Sequence, residues 1–144
     1  MISKRGAELG GAAAELGRLA GEREYAFKHV LIRDVAYGML PKSTRSRKHV
    51  EVGEFLHERA GERADAFAGL IAEHYTRASS LGAEAGIDSK ELSQLNTKAL
   101  ELLEAAGDAA AALYSNAEAF DRYRAALDLS DDIDPASRAR IGEK

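Results

Sequence analysis

The chain has 144 residues, 45% hydrophobic and 31% charged, with a formal net charge of -4. That is enough apolar content to fold and long enough to bury a core, while the acidic balance supplies no global attraction to nucleic acid or anionic lipid. There is no cysteine, which excludes disulfides, thiolate catalysis and cysteine-ligated zinc.

In chain order, residues 7–20 are rich in Ala and Gly, with Leu9, Ala13, Leu16 and Leu19 or Ala20 at helical spacing. Glycines at 10, 11 and 17 make this helix short or frayed, since each costs about 1 kcal/mol against Ala. Gly21-Glu22 supplies a turn and residues 23–28 a strand, with residues 17–20 as the other arm of a small N-terminal β-hairpin. The period changes at His29: Leu31, Ile32, Val35, Ala36, Met39 and Leu40 form one helical stripe that should bury itself against the hairpins downstream. Pro41 stops it.

Ser43 or Thr44 is the expected cap of the next helix, which runs to about Glu62 with Val52, Phe55, Leu56 and Ala60 inward and Gly61 at its end. Asp65 is the expected cap of a third helix, carrying Phe67, Leu70, Ile71, His74, Tyr75 and Ala78. Residues 79–89 hold two glycines, several serines and no period, so they read as a loop. A long helix comes next, burying Leu92, Leu95, Ala99, Leu102, Leu103, Ala106 and Ala110. Ser115-Asn-Ala-Glu118 is a capping box, which breaks the chain after Tyr114 and starts a helix from Asn116 to about Leu129. Asp134-Pro135 opens a last helix, which the end of the sequence truncates.

Tetratricopeptide repeats alternate small and large apolar residues over about 34 positions so that successive helical hairpins interlock. Ala119, Tyr123, Ala126 and Gly107 match that pattern. Tyr75-Thr-Arg-Ala78 echoes Tyr123-Arg-Ala-Ala126 from 75 to 123, an offset of 48. The expectation is a mainly α fold of two antiparallel tetratricopeptide-like hairpins, 43–78 and 89–129. Two units share it: 1–41 (short helix, hairpin, helix) and 42–144 (the hairpins).

The run Tyr25-Ala-Phe-Lys-His-Val-Leu-Ile-Arg-Asp-Val-Ala-Tyr37, then Leu40-Pro41, the basic helix and Ile71-Ala-Glu-His-Tyr-Thr-Arg-Ala78 resembles the region downstream of the ATPase module in bacterial signal-transduction ATPases. Those proteins accompany class III adenylate or guanylate cyclase domains or LuxR-type regulator domains. The resemblance covers about residues 23–129. It implies a winged-helix end at 1–41, helical repeats after it, and a cytoplasmic regulatory piece of a larger ATP-dependent protein. The chain itself has no G-x-x-x-x-G-K-[ST] phosphate loop and no paired-aspartate cyclase core. Residues 6–20 are Gly/Ala-rich where that family carries bulky apolar side chains.

The candidate sites are few. Lys42, Arg45, Arg47 and Lys48 form a basic run in the first turns of a helix, where the dipole disfavours cations, and they are the candidate anion or nucleic-acid contact. Tyr75, Arg122 and Tyr123 are the candidate peptide groove. Histidines 29, 49, 57 and 74 show no ligand spacing, so capping and packing roles, with no metal, cofactor or catalytic residue, are expected. Arg33 and Asp34, adjacent on a helix, should point about 100° apart and not face each other. The functional reading is therefore a non-enzymatic interaction and regulatory module whose partners are other domains of a parent protein, a protein or peptide, or a second copy through exposed repeat faces, with no membrane. The alternative is nucleic-acid binding through 42–48.

Overall fold

The computed structural model describes residues 29–130 and 135–144. The expected N-terminal helix, β-hairpin and winged-helix end, including the strand at 23–28, lie outside them. Among the described residues the chain is helical: α1 (Val30–Met39), α2 (Lys42–Ala60), α3 (Ala64–Ala85), α4 (Ser89–Ala112), α5 (Asn116–Ser130) and α6 (Pro135–Gly142), with a 3₁₀ turn at Gly61–Arg63 between α2 and α3.

From α2 onward, each helix packs mainly on the next in the chain, as short connections dictate. The cross-helix pairs Lys42–Glu84, Ser46–Ala78 and Gly53–Tyr75 descend along α3 as they ascend along α2, so these two helices are antiparallel. Leu56, Phe67, Leu70, Ile71, Leu100, Leu102 and Leu103 fill the core. Ala72, Ala78, Ala99 and Ala126 are fully buried where the helices cross, small side chains that let backbones approach.

Several boundaries agree with the sequence. α1 stops before Pro41, whose φ of -55° and ψ of 148° mark a change of direction. Gly61 at φ 50° ends α2, and α5 and α6 begin at Asn116 and Pro135. The caps differ. Pro41 occupies the N-cap position of α2, placing Ser43 and Thr44 inside the first turn. The 3₁₀ turn brings Arg63 to the N-cap of α3, so Asp65 serves the dipole from the first turn instead.

The loop expected at 79–89 shrinks to 86–88: α3 continues to Ala85 and α4 begins at Ser89. Ser79 is buried and its hydroxyl donates to Asn96 Oδ1 of α4. Gly82 is a packing gap, since a Cβ there would meet Ile87 Cδ1 at 2.6 Å. Gly86, at φ 66°, supplies the left-handed cap. Gly82 therefore belongs to helix packing and Gly86 to helix termination, and the first hairpin runs longer than 43–78.

The stripe of α1 is also corrected. Leu31, Ile32 and Val35 are 74%, 57% and 64% exposed, and no residue of α1 is buried. The core closes between α2 and α3 without it. Val52 and Phe55 likewise sit at the surface, Phe55 beneath the Arg59 guanidinium at 5.3 Å.

Candidate functional site

Antiparallel pairing of α2 and α3 places His49 beside His74, and α1 lays Tyr37 over His49. The Tyr37 hydroxyl lies 2.9 Å from His49 Nε2, and His49 Nδ1 lies 3.0 Å from His74 Nδ1. The Arg45 guanidinium covers the Tyr37 ring at 5.1 Å. This chain of hydrogen bonds, with Arg45, is what the structure shows holding α1 against the body.

Both imidazoles are pushed toward the neutral form. Burial, then the neighbouring His74 and Arg77, lowers His49 to about 4. Burial lowers His74, against the opposing pull of Glu73. Two neutral rings with facing Nδ1 atoms share one proton between them. In one arrangement Tyr37 donates to His49 Nε2, His49 Nδ1 donates to His74 Nδ1, and His74 carries its proton on Nε2.

The three side chains line an open groove of about 720 Å³ between α1, α3 and α5. Glu73, Arg77 and Ser80 come from one stripe of α3 and Arg122 from α5. Gly69 lies on the same stripe and leaves room for the Arg122 guanidinium, which would stand 3.2 Å from a Cβ there. Arg33 and Asp34 form the outer wall; contrary to expectation they pair with each other, at 2.7 Å, because the long arginine folds back along the helix. Thr76 Oγ1, also in the groove wall, is buried without a hydrogen-bond partner.

The basic run is dispersed. Lys42 pairs with Glu84 at 2.6 Å and Lys48 with Glu51 at 2.6 Å. Arg45 is half-buried behind Tyr37, and Arg47 is exposed with no ion pair among the described residues. The three residues expected to share a peptide groove separate too. Tyr75 is 7% exposed, its ring lying under Gly53, where a Cβ would meet Cε2 at 2.8 Å. Tyr123 lies under Gly107, faces a second groove against α6, and donates its hydroxyl to Asp108 at 2.6 Å. Arg122 alone lines the groove beside His74.

Asp108 also takes Lys144 at 2.7 Å, and Glu104 takes Arg140 at 2.8 Å. These bonds hold both carboxyls below the usual carboxylate range, while Ile141 inserts into the core at 2% exposure. Among the described residues no three His, Asp or Glu side chains converge to hold a metal ion, and no helix is long and apolar enough to cross a membrane. No family model, curated protein or solved structure matches the chain.

Proposed function

We propose that the chain is a non-catalytic protein-interaction module of tetratricopeptide-like hairpins, α2–α3 and α4–α5, acting as a regulatory piece of a larger ATP-dependent signalling protein. The observation that supports this most is a repeated device. In each hairpin a glycine on the first helix receives a tyrosine ring from the second, Gly53 with Tyr75 and Gly107 with Tyr123. Three residues after each tyrosine stands a fully buried alanine, Ala78 or Ala126. Stacked units of this kind expose long faces suited to extended partners. The signalling context rests on the resemblance of residues 25–41 and 71–78. Nucleic-acid binding through 42–48 is the second reading: Lys42 and Lys48 each meet a carboxylate in exposed pairs that a phosphate can replace.

The test is capture from native cells. A chromosomally tagged chain, cross-linked and isolated, should bring down a phosphate-loop ATPase or prove to be part of one. Recovery of nucleic acid alone, lost at moderate salt, would instead establish the alternative.

A further inference from the structure

We infer that α1 is a pH-sensitive latch: Tyr37, His49 and His74 hold it on the body while both rings are neutral, and acid releases it, removing the outer wall of the groove. This goes beyond the interaction-module reading and stands or falls without it. The geometry of attachment carries it. Among the described residues α1 packs closely on no other helix, and none of its own residues is buried. Tyr37 is two residues from both Val35 and Met39, about 200° around the helix. The contact that seats α1 therefore turns those apolar side chains to solvent. Releasing the helix forfeits little apolar burial, and what it loses is the polar chain and the Arg45 contact.

That chain tolerates few protons. With the two Nδ1 atoms 3.0 Å apart, the gap between the rings holds one proton, whether both are neutral or one is charged. A first added proton reverses the chain, so that His74 donates to His49 and His49 Nε2 donates to the Tyr37 oxygen. A second sets two N–H groups face to face and breaks it. The surrounding groups leave little to stabilise a charged pair. On α1, Asp34 is engaged by Arg33 at 2.7 Å, and on α5, Arg122 meets Glu118 at 3.5 Å. Arg45 of α2 covers Tyr37, and Arg77 of α3 pushes His49 down, while Glu73 pulls His74 the other way. Burial sets both imidazoles low, His49 at about 4, and rings that meet water when α1 leaves regain their ordinary values. Release therefore takes up protons, so the latch is closed above about 6.5 and opens as pH falls toward 4.

The whole chain has no cysteine, so Val35→Cys on α1 and Gln94→Cys on α4, both exposed positions, carry a nitroxide pair whose separation is read by double electron–electron resonance. At about pH 7.5 the distance distribution should be single and narrow. At about pH 4.5 a broad component should grow by at least about tenfold, while circular dichroism shows the helices intact. His49→Gln with His74→Gln, which cannot titrate, should abolish that pH dependence. Tyr37→Phe should broaden the distribution already at neutral pH. An unchanged distribution in acid, or an acid response that survives in the double-glutamine variant, overturns the latch. If acid unfolds the whole chain, Tyr37→Phe at neutral pH decides: a distribution as narrow as that of the parent overturns it.

Discussion

The two hairpins solve one packing problem in the same way and then diverge in what surrounds it. In α2–α3 the tyrosine is sealed in the core, and burial, with Glu54, raises its hydroxyl. In α4–α5 the tyrosine is half-exposed, and its hydroxyl enters a polar network with Asp108 and Lys144. The second hairpin is closed by α6 through Ile141 and two clamped carboxylates. The first is flanked by α1, which buries nothing and leaves its apolar side chains in solvent. A shared interlock thus sets the spacing of the helices, while the flanking helices decide which end is shut and which presents a polar groove.

That contrast breaks most visibly at the tyrosines. Tyr75→Ala should destabilise the fold by about 3–5 kcal/mol in urea unfolding, as for other fully buried aromatics. Tyr123→Ala should cost less, about 1–2 kcal/mol, because less of its surface leaves water.

The glycines come next. Gly53→Ala drives a methyl into a ring with no room to retreat, a strain of about 1–3 kcal/mol against a helix-propensity gain of about 1. At Gly107 the Cβ would meet Tyr123 Cε1 at 2.5 Å, yet that ring can swing toward solvent. Gly107→Ala should therefore cost little stability and instead break the Tyr123–Asp108 bond, seen as a fall of the raised tyrosine pKa in an absorbance titration.

Acid separates the two ends. His49 and His74 resist protonation when folded and accept it when unfolded, so their contribution is fully present above about 6.5 and is lost as pH falls toward 4. The Glu104 and Asp108 carboxyls are held low, so their contribution persists above their unfolded values and disappears only at more acidic pH. Melting temperature should decline between pH 6.5 and 4, and His49→Gln combined with His74→Gln should flatten that decline. The smallest effect belongs to α1: Leu31→Ala should change stability by no more than about 0.5 kcal/mol.

Much of the helical order was legible because it depends on local chemistry. Pro41, Gly61, Asn116 and Pro135 act on their own neighbours, and the Phe67 to Ala78 stripe is a one-helix pattern. What failed depends on partners. Ser79 and Gly82 look like loop residues until Asn96 and Ile87 stand opposite them, and the α1 stripe looks buried until the core closes without it. The site was less legible than the fold. Arg122 is a groove candidate from the sequence alone, but the contact between His49 and His74 arises from the register of α2 on α3, and neither histidine carries a mark of it in its own neighbourhood. The tyrosines read from the sequence as groove residues, and their rings pack against the glycines.

Whether this face of the stack receives a protein partner can be asked of the groove itself. A photo-cross-linking side chain at Ser80, inside the groove, can be compared in native cells with one at Gln94, exposed on α4 outside it. Discrete protein adducts should form from position 80 and none from position 94; no adducts from 80, or the same adducts from both, would rule out a partner seated on this face.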